Sequence, residues 1–167
     1  DTSGSMSGDN LTDTKKAVKA LVDSFNKKSD TVDTKYKLVT FASGSSIQTP
    51  NWVDGNTLYN SYVRRLSAEG GTNYDRGLSN AATAIGTAES GAKKIVIFLT
   101  DGEPTYYGDR PSGFGNVTSE KTLAAAQDSA EKIKCDEFYA VGINLPSKVY
   151  IYKKNGDYSY KTSGLEI

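Results

Sequence analysis

Leu11, Val18, Leu21, Val22 and Phe25 recur at the three- and four-residue spacing of an amphipathic helix, with Lys15, Lys16, Lys19, Lys27 and Lys28 on its other faces. The pattern predicts a helix over residues 11–28 with Asn10 as its N-cap. The period then changes. KLVTFA at 37–42 reads as a strand, and residues 47–53 hold a short second one interrupted by Pro50. A short helix is predicted over 56–66, a loop over 70–73, and a longer helix through Leu78, Ala81, Ala82, Ile85 and Ala88. IVIFL at 95–99 is the strongest strand signal. Being apolar on both faces, it predicts a parallel strand covered by helices on both sides. Leu123, Ala126, Ala130 and Ile133 mark another helix, capped by Thr118 or Ser119, and FYAVGI at 138–143 a further buried strand.

Strands alternating with helices predict an α/β fold with right-handed crossovers and a mostly parallel sheet. Two stretches break the rhythm. Residues 102–117 form a long loop rich in Gly, Pro and Tyr. Residues 149–162, VYIYKKNGDYSYKT, alternate about an Asn155–Gly156 turn signal and predict a β-hairpin. The chain therefore divides into a sheet domain at 1–145 and a hairpin excursion at 146–167.

Composition narrows the chemistry. Twenty basic residues balance twenty acidic ones in 167 residues, which argues against nucleic acid as a partner. There is no His, so no Ser-His-Asp or Cys-His catalytic device can be assembled. Zinc is disfavoured for the same reason, with Cys135 the one Cys and its expected role a small apolar filler. No run of about 18 apolar residues is present, so this segment is not expected to insert into a membrane.

What remains is oxygen. The chain opens DTSGSM, with Asp1, Ser3 and Ser5 at alternate positions. A GGT loop at 70–72 precedes a predicted helix, and a TDG loop at 100–102 follows the 95–99 strand directly. In an open α/β sheet, sites form at the carboxyl ends of strands. Asp1, Ser3, Ser5, Thr72 and Asp101 together offer carboxylates and hydroxyls, the donors a hard divalent cation prefers. Mg²⁺ is the first expectation, with Mn²⁺ or Ca²⁺ as alternatives.

The D-x-S-x-S stretch, the Thr of the GGT loop and the Asp of the TDG loop, in that order, resemble the metal-ion-dependent adhesion site (MIDAS) of von Willebrand factor type A (vWA) domains. The resemblance runs from residue 1 to about 145 and implies a Rossmann-like, three-layer α/β/α fold. It further implies hydroxyl ligands from Ser3, Ser5 and Thr72, with Asp1 and Asp101 binding directly or through water. One coordination position would stay open for a partner's carboxylate. In this fold an apolar central strand precedes the first Asp, so the resemblance places such a strand upstream of Asp1. Similar domains with inserted arms occur in Gram-positive surface and pilus-tip adhesins, and the 149–162 stretch resembles the start of such an arm.

The function expected is cell-surface adhesion to a protein ligand, such as a host matrix or receptor protein, at an extracellular, wall-anchored or pilus-associated location. The alternative is an intracellular metal-dependent scaffold of the magnesium-chelatase-subunit type. A metal-activated hydrolase is the third and weakest reading, because Glu103 is the one acid adjacent to a predicted metal ligand. No enzymatic activity is expected. Glu103, Tyr106, Tyr107 and Arg110 lie where the 102–117 loop would border the metal face, as partner contacts or as ordered surface.

Overall fold

A computed structural model of the chain describes residues 1–27, 32–145, 149–152 and 158–161. Helix α1 spans Asp9–Asn26 and buries Leu11, Thr14 and Val22. It begins before the predicted start, and Gly8, at φ 75°, takes the N-cap position without a side-chain cap. Asn10 thus lies inside the first turn, and its side chain is used elsewhere. Lys28, the predicted last residue, lies outside the described residues.

Strand β1 is confined to Val39–Phe41 and pairs antiparallel with β2, Ser45–Ile47, in the register Val39↔Ile47. The Ala42 N–H donates to Gly44 O at 2.7 Å and turns the chain between them. The second strand therefore ends where 47–53 was predicted to begin one. Pro50 has no N–H to extend the ladder, and beyond it Val53 makes an isolated antiparallel bridge with Tyr36. The predicted 56–66 helix is a composite. A one-turn helix α2, Gly55–Thr57, is capped by Asp54 and runs into a π turn at Leu58–Tyr62 and a 3₁₀ turn at Val63–Arg65. Leu58 and Val63 pack with Val22 as one core cluster, against Val18, Tyr36, Leu38, Val53 and Tyr59.

Helix α3, Tyr74–Ile85, starts four residues before Leu78 because Asn73 caps it, accepting from Arg76 N–H at 3.1 Å. Strand β3 is Ile95–Thr100, β4 is Thr118–Ser119, α4 is Glu120–Ala130 and β5 is Glu137–Gly142. Ser119 caps α4 through a reciprocal capping box with Thr122. A second core joins Leu78, Ile85, Ala126 and Ile133, with Val96 and Phe98 of β3 packed against it.

β3 and β5 run parallel from Ile95↔Glu137 to Thr100↔Gly142. The helix-covered face of β3 is the one carrying Val96 and Phe98, and its alternate position Ile97 is 38 % exposed. β5, expected to be a buried strand, is instead exposed from Phe138 to Gly142 on both faces among the described residues. Coverage on both faces, expected from IVIFL, is thus met on one face among the described residues.

Among the described residues the strands form three separate ladders rather than one continuous sheet: β1–β2, β3–β5, and β4 parallel to β6 (Val149–Tyr152), which pairs antiparallel with β7 (Tyr158–Lys161). The predicted Asn155–Gly156 turn lies outside the described residues. Between β1 and β3 the connection is made by the first two residues. Thr2 N–H donates to Phe41 O at 2.8 Å, and the Asp1 α-amino group donates to Leu99 O at 2.9 Å. The oxygen-rich opening is thereby held at the carboxyl end of both strands.

Phe41 anchors this junction. It is 5 % exposed, stacks on Phe98 at 5.0 Å between centroids and meets Tyr74 edge-on at 5.7 Å. Gly77 of α3 faces it so closely that an added Cβ would lie 2.7 Å from Phe41 Cδ1. Helix propensity alone favours Gly77→Ala by roughly 1 kcal/mol, whereas forcing a buried ring aside costs roughly 1–3 kcal/mol. Gly77→Ala is expected to lower the urea midpoint, and a raised midpoint would contradict this packing.

Candidate metal centre

The DTSGS segment folds back on itself at the end of β3. Ser3 N–H donates to Asp1 Oδ1 at 2.8 Å, and Thr100 Oγ1 donates to Asp1 Oδ2 at 2.6 Å. The Ser3 and Ser5 hydroxyls are 3.0 Å apart, and Ser5 Oγ donates to Asp101 Oδ1 at 2.8 Å. Four of the five predicted ligands therefore sit in one hydrogen-bonded chain, with Ser3 1 % and Asp101 7 % exposed.

Thr72 arrives on the adjoining loop. Gly4 N–H donates to Gly70 O at 2.8 Å and Glu69 N–H to Thr2 O at 2.9 Å, so the two loops are stitched through their backbones. Gly70 turns at φ 75°, where an added Cβ would also strike Ser43 Oγ. Thr72 itself is buried at 6 % exposure.

The electrostatics favour a cation. Among the described residues neither the Asp1 nor the Asp101 side chain forms an ion pair with Lys or Arg. Among the described residues no group of three or more His, Cys, Asp or Glu is placed to hold a metal. A site here would draw on two carboxylates and several hydroxyls. That donor set suits a hard ion that retains water, and a retained water is a position that an external oxygen ligand could take.

The predicted contact residues divide. Tyr106 is committed to the loop: its N–H, with that of Thr105, donates to Thr72 O at 2.9 and 2.8 Å, and its ring fills the space beside Gly71 and Gly115. Tyr107 makes an isolated backbone bridge with Ser112. Glu103 is half-buried, and its Oε2 accepts from Thr118 Oγ1 at 3.1 Å. Burial raises its carboxyl above the usual range, with the Thr118 hydrogen bond opposing. Arg110 is exposed.

Sequence reasoning missed the supports. Tyr74 lies against Thr100 Oγ1 at 2.8 Å and donates to Gly102 O, and burial raises its phenol. Asp75 joins α3, α4 and the long loop, accepting from Ser129 Oγ at 2.5 Å and Gly108 N–H at 2.8 Å. Asn10 donates to Asp101 Oδ2 at 2.9 Å. Thr100 is the first residue of the TDG loop and Tyr74 lies two residues after Thr72, so proximity was an available signal. Asp75 carried none, because its partners are distant in sequence.

With this geometry in place, a family model for the von Willebrand factor type A domain matches residues 1–157. The chain belongs to that family. No curated protein matches it. The vWA match covers all three oxygen-bearing loops and implies an α/β, Rossmann-like fold. vWA domains often bind a divalent cation and commonly mediate protein–protein interaction. No described helix of this one is long and apolar enough to cross a membrane.

The 102–117 loop is more than a rim. Thr105 Oγ1 accepts from Thr72 N–H at 2.9 Å, so it helps hold the loop that carries a predicted ligand. Thr105→Val keeps the shape and removes the acceptor. It is expected to destabilise the domain by about 1–3 kcal/mol, the cost of stranding a buried donor. Denaturant unfolding indistinguishable from the parent would show that this contact carries no stability.

Proposed function

We propose that this vWA domain is a cell-surface adhesion module, extracellular and wall-anchored or pilus-associated in a Gram-positive bacterium, that binds a protein ligand through a divalent cation. The observation that carries the reading is the chain from Asp1 through the Ser3 N–H and the Ser3 and Ser5 hydroxyls to Asp101, which links two carboxylates that have no Lys or Arg partner among the described residues. Mg²⁺ is the ion proposed, with Mn²⁺ or Ca²⁺ able to use the same donors. When bound, the cation would supply an electrophilic position for a carboxylate of the partner.

The chain's own residues would divide the work. Asp1 and Asp101 supply the negative charge, and Ser3, Ser5 and Thr72 supply hydroxyl oxygens. Thr100 keeps Asp1 oriented through its 2.6 Å hydrogen bond. Arg110, exposed on the neighbouring loop, is the residue proposed to meet an acidic ligand outside the cation. Catalysis is not part of the proposal. The chain has no His to accept a proton, and Glu103 is already engaged with Thr118.

Calorimetry with Mg²⁺ or Mn²⁺ is expected to show one saturable site, abolished by Asp101→Ala. Equal heats from variant and parent would remove the metal assignment. Adhesion to immobilised extracellular-matrix protein is expected to be lost in EDTA and in Thr72→Ala while the circular dichroism spectrum is retained. Adhesion that persists in EDTA would locate recognition away from this site.

A further inference from the structure

Asp101 is held from two sides. Ser5 Oγ donates to its Oδ1 at 2.8 Å, while Asn10 Nδ2, from the first turn of α1, donates to its Oδ2 at 2.9 Å and to Ser5 O at 3.3 Å. Asn10 is itself held, because Asn144 Nδ2 donates to Asn10 Oδ1 at 2.7 Å across 134 residues of sequence. The three contacts fix the amide orientation. A flipped Asn10 would set its oxygen against a carboxylate and a carbonyl, and its nitrogen against the Asn144 donor. Asn144 follows β5 and is the one non-glycine at positive φ, 48°, among the described residues. Asn tolerates that region better than most residues, and such positions persist where the surroundings enforce them.

We infer that Asn10 and Asn144 are positioning residues of the metal centre, a two-amide relay that fixes the Asp101 carboxylate for cation binding. The inference rests on the metal reading proposed above and adds residues outside its donor set. Asn10 occupies Oδ2, which leaves Oδ1, already facing Ser5 Oγ, as the oxygen turned toward the hydroxyl donors. A neutral amide performs this task without cancelling the charge the cation requires. A Lys or Arg at the same place would compete with the ion.

Partners that orient ligating groups typically change metal affinity by about 10- to 100-fold when removed. Mn²⁺ titration of the whole domain by calorimetry tests the relay with Asn10→Ala, Asn144→Gly and the double variant. Glycine is the choice at 144 because it keeps the positive φ while deleting the amide. Asn10→Ala is expected to weaken Mn²⁺ binding by about 10- to 100-fold. Asn144→Gly is expected to weaken it by a smaller factor that vanishes in the Asn10→Ala background, since the second amide acts through the first. Ser119→Ala, which removes the α4 capping box, serves as the stability control: it should lower the urea midpoint and leave Mn²⁺ affinity unchanged. Unchanged affinity in Asn10→Ala, or additive effects of the two Asn substitutions, overturns the relay while the metal reading stands. Affinity that falls equally in Ser119→Ala overturns it too, because loss would then follow general stability. Absence of Mn²⁺ binding by the unsubstituted domain overturns the relay together with the metal reading.

Discussion

The hydrogen bond from Ser5 to Asp101 closes the site, joining residues 96 positions apart. It exists because two backbone contacts, Thr2 to Phe41 and the Asp1 amine to Leu99, lodge the N-terminal segment between β1 and β3. Phe41 and Phe98, stacked beneath, set the separation of those strands. The apolar junction thus fixes where the polar cluster forms. Drawing two carboxylates together in a largely buried setting is unfavourable unless something offsets the charge. Here hydroxyls and amides orient them without neutralising them, which is the condition under which a cation gains most.

The three oxygen-bearing loops are not independent. The GGT loop is stitched to DTSGS through Gly70 and Glu69, and to the 102–117 loop through Thr72. Asn73 continues the connection, its side chain donating to Ser43 O at 3.1 Å and to Gly108 O at 3.2 Å. Asp75 then fastens Gly108 to α4 through Ser129. A loop that reads as partner contact or ordered surface in the sequence is therefore part of the scaffold on its Thr105–Tyr106 side, and exposed near Arg110. The aromatic Tyr106 illustrates the difference, because its ring is occupied by close contact with glycines.

Much of this was legible from residue pattern. Leu78, Ile85, Ala126 and Ile133 were marked by helical spacing and form one core cluster, and IVIFL announced β3. The motifs carried Asp1, Ser3, Ser5 and Asp101 to one place because short sequence distances and strand ends constrain them. Elements governed by non-local contacts were less legible. The 56–66 stretch has helical spacing, yet packing of Leu58 and Val63 on Val22 winds it through three different turn types. Asn10 read as a cap because Asn commonly is one, and only the fold shows that Asp101 claims its amide. The open face of β3 and β5 could not be anticipated either, since an apolar run specifies that a strand should be covered and not what covers it.

Asp1, Ser3, Ser5, Thr72 and Asp101 are proposed to form one cation site. Its most direct test is anomalous diffraction from crystals of the domain grown with Mn²⁺. A single strong anomalous peak bounded by those five side chains is expected. Mn²⁺ density confined to other carboxylates, with none between Ser5 and Asp101, would contradict it.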